Sequence, residues 1–218
     1  MIISLDHKIL FFHISKTAGT SISLMLENIC DDAKSSFNKI FLNNIHNQAV
    51  RHIKDKLDLM QSNRYPFTHI TQTDARPFLQ LSNIDTSDFS EFIIVRNPYD
   101  RLKSQMIYQG LNEQYSVDHF LNRYESLNSS PSGYWFCRQM EYIKDPITKN
   151  LQIFKYEELN KLWPFLANIK KYKPFVVKRV NETANKKDVK IEFTLAQKKR
   201  IYHMFQDDFD NLGYHRGF

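Results

Sequence analysis

Two short stretches of this sequence gather the residue types that grip anions, and each follows an apolar run. The first is Ser15-Lys16-Thr17-Ala18-Gly19-Thr20-Ser21, behind Ile9–Ile14. A loop that leaves a buried strand and enters a helix aims backbone N–H groups at one spot, and the positive end of the helix favours an anion there. Lys16 adds a full charge, Thr17, Thr20 and Ser21 add hydroxyl donors, and Gly19 allows close approach. In their plainest role, Thr20 or Ser21 merely caps the helix and Lys16 is solvated. The second stretch is Phe92–Ser104, where Arg96 ends an apolar strand and Ser104 follows about two helical turns later. An arginine fork at the carboxyl edge of a parallel sheet can clamp a phosphate, or simply pair with a carboxylate. Asp100 and Arg101 are expected to fix the start of the helix.

The first loop differs from the nucleotide triphosphatase pattern G-x-x-x-x-G-K-[ST]. Its first glycine is missing, and Lys16 precedes Gly19 instead of following it. The lysine–serine pair that would hold phosphate and magnesium is therefore absent.

The elements that must position these residues follow from apolar patterning. Ile9–Ile14 predicts a strand buried on both faces, followed by a helix over Thr20–Glu27 with Ile22, Leu24 and Met25 on its buried side. Phe67–Thr71 alternates as a short strand does, and Phe92–Val95 is a second clear apolar strand. Asn97 suits an N-cap and Pro98 the first helical position, in a helix running to about Gln109. Ser116 caps a helix through Tyr124, and Asn128–Gly133 reads as a loop. Leu151–Phe154 predicts a strand and Tyr156–Ile169 a helix. Thr194 opens one long final helix with Leu195, Ile201, Met204, Phe205 and Phe209 along its apolar side. Weak helical periodicity runs through Val50–Met60. Strands alternating with helices predict one α/β domain over residues 1–218, built on a mainly parallel central sheet flanked by helices.

The chain of 218 residues is long enough for one well-buried core, and its 42% hydrophobic and 25% charged residues exclude disorder and fibrous repeats. A net charge of +6 favours anionic partners without choosing among them. No helix-turn-helix, zinc-finger or RNP-like segment points to nucleic acid. Cys30 and Cys137 are too few for a disulfide scaffold or a thiolate metal site and read as free thiols. No signal peptide or membrane span is visible, so a cytoplasmic protein is expected. The sequons at Asn128 and Asn181 carry no meaning there.

The segments His13–Ile22 (HISKTAGTSI) and Val95–Ser104 (VRNPYDRLKS) resemble the sulfotransferases that use 3′-phosphoadenosine 5′-phosphosulfate (PAPS). They are most similar to the carbohydrate branch that includes heparan sulfate 2-O-sulfotransferase and bacterial relatives. Gln139–Asp145, Phe154–Leu159, Val180–Thr183 and Asp207–Tyr214 resemble the same branch in the same order, so the similarity runs along nearly the whole chain. The resemblance implies a P-loop-like nucleotide-binding fold. It also implies that Lys16, Thr17, Ala18, Gly19, Thr20 and Ser21 bind the 5′-phosphosulfate, while Arg96 and Ser104 bind the 3′-phosphate. Lys178, Arg179 and Asn181 lie where relatives fold over the nucleotide, although a solvated face accounts equally well for most of the lysines there. Ser15 replaces the family's usual proline, which implies a less preorganised loop with its ligands intact.

Sulfo transfer is an in-line displacement that needs a base for the incoming hydroxyl and a cation for the leaving phosphate oxygen. Lys16 is the natural cation, and no metal is expected. A histidine with an ordinary pKa of about 6.5 suits the base. The segment around His69 resembles the family's short strand that carries the catalytic histidine, which implies that role for His69. By itself a histidine there is more often structural; His13, His119 and Glu27 are weaker candidates. The acceptor is a hydroxyl-bearing partner, expected to be a glycan or glycolipid, with Tyr134 and Trp135 available to stack on a sugar ring. A magnesium-dependent nucleotide kinase of related fold and a non-catalytic polyanion-binding module are the competing readings.

Overall fold

The structure, a computed structural model, describes residues 1–30, 69–81, 83–109, 116–127, 137–143, 151–169 and 190–218. A hairpin opens the chain: β1 (Ile2–Ser4) reverses into β2 (Ile9–Phe12), with Ile3 opposite Leu10. The sequence held no signal for β1, which is too short to show alternation. β3 (Ser90–Val95) lies parallel to β2 with Phe12 opposite Ile93, and β4 (Gln152–Lys155) lies parallel to β3 with Val95 opposite Lys155. The spatial order is β1-β2-β3-β4, so the sheet is mainly parallel, as the alternation of elements predicts.

Seven α-helices are described: α1 (Gly19–Ile29), α2 (Gln72–Leu81), α3 (Pro98–Tyr108), α4 (Val117–Leu127), α5 (Leu162–Ile169), α6 (Leu195–Met204) and α7 (Gln206–Leu212). Short 3₁₀ segments occupy Gln139–Tyr142 and Tyr156–Lys161. Successive residues of a strand point to opposite faces. Ile9, Phe11, Phe92 and Ile94 therefore pack on Ile22, Met25 and Leu26 of α1 and on Leu162 and Leu166 of α5. Leu10, Phe12, Ile93 and Val95 face the other way, against Ala75 and Leu79 of α2, Tyr142 and Leu212. A second core forms where α3, α4, α6 and α7 meet around Leu102, Met106, Leu121, Phe205 and Phe209.

The helix starts follow their caps. The Asn97 side chain accepts the Tyr99 N–H, and Thr194 with Gln197 makes a capping box for α6. The Ser116 hydroxyl accepts the His119 N–H at 3.2 Å.

Four expectations are corrected. Leu24 is exposed, and Leu26 takes its place on the buried side of α1. Of the expected strand Phe67–Thr71, residues 67 and 68 lie outside the described residues, and His69 sits in a turn that runs into α2. The carbonyl of His69 accepts the Tyr142 hydroxyl at 2.8 Å, so a side chain takes the place of a strand neighbour. The expected helix Tyr156–Ile169 begins as 3₁₀ and kinks at Glu158 before α5. The long final helix is broken at Phe205 (φ −120°) into α6 and α7, and Leu195 is exposed. After that break, the buried Asp208 of α7 accepts the N–H groups of Gln139 and Met140, both at 2.9 Å. Gly213, at φ 66°, closes α7 in the left-handed conformation that glycine adopts without a Cβ penalty.

A buried ion pair fixes α2 against β3. Arg76 Nη2 donates to both carboxylate oxygens of Glu91 at 2.7 Å, and Nη1 donates to the Thr86 hydroxyl. Because α2 begins three residues after His69, this pair also sets where His69 stands. Arg76→Met leaves the Glu91 charge buried and is expected to lower stability by about 3–5 kcal/mol in urea unfolding. The double variant Arg76→Met/Glu91→Leu is expected to recover most of that loss.

Candidate functional site

The parallel register brings the ends of β2, β3 and β4 to one edge of the sheet. Beyond them come the Ser15–Gly19 loop, Arg96 and Tyr156. The loop takes an unusual path: Lys16 (φ 65°) and Ala18 (φ 70°, ψ 13°) both sit in the left-handed region, which costs a non-glycine residue about 1–2 kcal/mol each. Turns of that kind gather backbone N–H groups into an anion-binding concavity. Ala18 provides no side-chain cap for α1, whose first turn carries no acidic residue, so the helix itself supplies nothing to offset its positive end.

The strain is held by neighbours. Thr17 is buried and its hydroxyl donates to the Ile14 carbonyl at 2.9 Å, a structural use of a side chain expected to face an anion. Arg101 is 1% exposed, and its guanidinium donates through Nε to the Ser15 carbonyl at 3.0 Å and through Nη2 to the Ser15 hydroxyl at 3.3 Å. Its Nη1 donates to the Cys137 carbonyl at 2.9 Å. Arg101 thus secures the anion loop as well as its own helix.

Arg96 joins the two anion stretches. Its Nη1 donates to the Lys16 carbonyl at 3.3 Å, and its guanidinium lies over the Tyr156 ring, 4.2 Å from the centroid. The Nε atom is buried without a hydrogen-bond partner among the described residues. The Gln139 side chain fixes the Arg96 backbone from both sides, accepting its N–H and donating to its carbonyl at 2.8 Å each. The Lys16 ammonium lies 4.1 Å from the centre of the Tyr108 ring. On α3, Arg101, Ser104 and Tyr108 follow at three- and four-residue spacing and share a helix face. Since Arg101 reaches Ser15 and Tyr108 meets Lys16, the half-buried Ser104 between them faces the same loop.

Two histidines, His13 and His69, meet edge to face at the base of the loop, with ring centroids 4.5 Å apart. A Cβ on Gly19 would lie 1.6 Å from His13 Nε2, so glycine is required here because the His13 ring fills the space. The imidazole thus accounts for glycine at this position by itself, alongside the approach expected of a ligand. His69 Nδ1 lies 3.0 Å from the His13 carbonyl. A carbonyl only accepts, so Nδ1 carries the proton and Nε2 keeps its lone pair. Burial is the main cause that lowers the His69 pKa from 6.5 to about 4, the bond to His13 working in the opposite sense. The ordinary value expected from sequence is thus corrected: His69 is neutral well below pH 7. Burial likewise holds His13 well below its usual range.

Lys16, Thr17, Ala18, Gly19, Arg96, Ser104 and His69 therefore surround one edge of the sheet, with Thr20 and Ser21 in the first turn of α1. His119 is exposed on α4, and Glu27 lies in the last turns of α1. Lys178, Arg179, Asn181, Tyr134 and Trp135 lie outside the described residues. Sequence reasoning missed the roles of Tyr108, Gln139, Tyr156 and Asp208. The signal for Tyr108 was its four-residue spacing from Ser104 along one helix face.

The histidine pair has a measurable consequence. Both imidazoles take up a proton more readily in the unfolded chain, so their contribution to stability is full above pH 6.5 and is lost as pH falls toward 4. In that window each proton taken up on unfolding steepens the loss by about 1.4 kcal/mol per pH unit. Urea unfolding between pH 7 and pH 4 is expected to show this slope, and His69→Gln to flatten it. Gly19→Ala displaces the His13 ring and is expected to cost about 1–3 kcal/mol at pH 7.

No curated protein matches the chain, and no solved structure does. Residues 1–105, which hold the anion loop, Arg96 and Ser104, match the model of the sulfotransferase family. That match falls on the segment that builds the site, and the α/β architecture agrees with it, so residues 1–105 are similar to the sulfotransferase family.

Proposed function

We propose that the chain is a sulfotransferase that takes its sulfo group from PAPS and delivers it to a carbohydrate hydroxyl, as one domain over residues 1–218 working in the cytoplasm. The observation that carries the donor reading is the 3.3 Å hydrogen bond from Arg96 Nη1 to the Lys16 carbonyl. It joins the loop that carries Lys16 to the strand end that carries Arg96, which supports one nucleotide meeting both. Support for the acceptor comes from the similarity of His13–Ile22, Val95–Ser104 and the later segments to the carbohydrate branch. Support for the compartment comes from Cys30 and Cys137, both free thiols.

In this reading Lys16 and the N–H groups of the loop and first helical turn, from Thr17 to Ser21, hold the 5′-phosphosulfate. Arg96 and Ser104 hold the 3′-phosphate, and Lys178, Arg179 and Asn181 close over the adenosine. His69 Nε2 takes the proton of the acceptor hydroxyl as that oxygen bonds to sulfur and the bond from sulfur to the phosphate oxygen breaks. Lys16 neutralises the charge that grows on the leaving oxygen. The products are the sulfated acceptor and adenosine 3′,5′-bisphosphate. His69 is neutral and ready before the donor arrives, and the donor's negative charge raises its pKa, making it the stronger base when it is needed.

Thermal unfolding with nucleotides tests this reading. Adenosine 3′,5′-bisphosphate at one hundred times its Kd is expected to stabilise the fold by about 2.7 kcal/mol, with AMP and ATP doing far less at equal concentration. Transfer from PAPS is expected to continue in a chelator, because Lys16 and Arg96 supply the positive charge. Lys16→Ala and His69→Ala are each expected to lower kcat by about a hundredfold or more. Equal stabilisation by ATP would remove the donor assignment, and wild-type rates in both variants would remove the residue roles.

A further inference from the structure

Tyr108 is a large aromatic residue at the end of α3 that is 64% exposed, so its place is not explained by the core. Its ring face is instead covered by the Lys16 ammonium, 4.1 Å from the centroid. Lysine is a flexible stem carrying a compact charge, and such a charge must be held to act at one atom. At its backbone Lys16 is fixed by its left-handed conformation and by the Arg96 bond to its carbonyl. Its charged end meets Tyr108. A carboxylate in that position would also hold the ammonium, but it would cancel the charge and repel an anion. An aromatic face attracts a cation through its quadrupole while carrying no net charge, so it holds the ammonium without cancelling its charge.

We propose that Tyr108 is a positioning residue for Lys16, holding the ammonium on its ring face so that the charge stays aimed at the anion above the loop. The contact persists in the loaded site, with the ring on one side of the ammonium and the phosphate on the other. This rests on the donor assignment above, because the anion in question is the 5′-phosphosulfate. Tyr108 itself touches neither the donor nor the reacting atoms.

Tyr108→Leu keeps bulk but removes the π face, and Tyr108→Phe keeps the face. Calorimetric binding of adenosine 3′,5′-bisphosphate is expected to weaken by about two- to fivefold in Tyr108→Leu and to stay at the wild-type value in Tyr108→Phe. Adding Tyr108→Leu to Lys16→Ala is expected to change nothing more, since there is no ammonium left to hold. In turnover the Leu variant is expected to lose kcat with the acceptor KM unchanged, and its melting temperature to stay at the wild-type value. Equal weakening in both backgrounds would mean that the ring meets the ligand directly, and tighter binding would mean that it competes for the ammonium. Either result overturns the proposal, as does an unaltered Leu variant. A second readout needs no nucleotide. With lysines dimethylated with carbon-13, the Lys16 resonance, assigned by its loss in Lys16→Arg, is expected upfield in the free protein and at the ordinary lysine position in Tyr108→Leu. If that shift is present but the bisphosphate does not bind, the donor assignment falls while the ring still holds the ammonium. If the bisphosphate binds and the shift is absent, this inference alone falls.

Discussion

The parallel pairing of β2, β3 and β4 is the constraint on which the site depends. Parallel strands run in one direction, so their carboxyl ends share an edge, and whatever follows each strand is delivered there. Here the followers are the Ser15–Gly19 loop, Arg96 and Tyr156. Val95 opposite Lys155 makes the next pair Arg96 and Tyr156, and the guanidinium lies over that ring. A slip of one residue would turn each side chain to the other face of the sheet. It would also bring Glu157 to the level of Arg96, where a carboxylate would neutralise the cation. Register therefore determines the electrostatics of this edge as well as its packing.

Two carboxylates near this edge, Asp208 and Glu157, are occupied with groups other than its cations. Asp208 is buried, and its two oxygens accept the Gln139 and Met140 N–H groups. Burial raises its pKa, while Arg101 and those N–H groups work against the rise. Glu157 accepts the Asn97 N–H at 2.9 Å and the Tyr214 hydroxyl at 3.1 Å. Each acid thus organises backbone that in turn organises Arg96. Asp208 fixes the turn bearing Gln139, and Gln139 clamps Arg96. Glu157 ties the start of α3 to the end of β4. A site that takes up an anion gains from this division, since a guanidinium already paired with a carboxylate has no net charge left to offer.

What the sequence disclosed was local chemistry. The apolar runs of β2 and β3, the Asn97 cap with Pro98 behind it and the helix start at Thr194 each lie within a few residues, and each is found where expected. Leu24 misled because helical periodicity tolerates two neighbouring apolar residues on one side, while contact with the sheet selects Met25 and Leu26. The strand expected at His69 failed for a tertiary reason, since Tyr142 and His13 supply its partners from distant parts of the chain. The final helix reads as continuous because its apolar spacing survives the break at Phe205, whose purpose lies in Asp208 meeting Gln139. Gly19 was recognisable as a close-approach position, but nothing in its neighbours said that the approaching group is the ring of His13. The anion stretches were legible as types and spacing; that they share one hydrogen bond was not.

Ser15 shows how such partnership changes the meaning of a residue. Proline, usual in the family at this position, restricts the chain by locking φ. Serine in isolation gives that up, which is why a looser loop was the expectation. In the fold Ser15 is 6% exposed, and Arg101 donates to both its carbonyl and its hydroxyl. Two bonds from one fully buried guanidinium restrict the loop from outside the backbone, at the residue just before the left-handed Lys16. The expectation of looseness is thus opposed by a contact that proline could make only in part, because its carbonyl remains but its hydroxyl does not exist. Arg101 also donates to Cys137, next to the turn that Asp208 caps, so the loop and the Gln139 clamp hang from one side chain. Preorganisation at this edge is therefore a property of that shared cation, and it survives a substitution that local backbone reasoning would count as a loss.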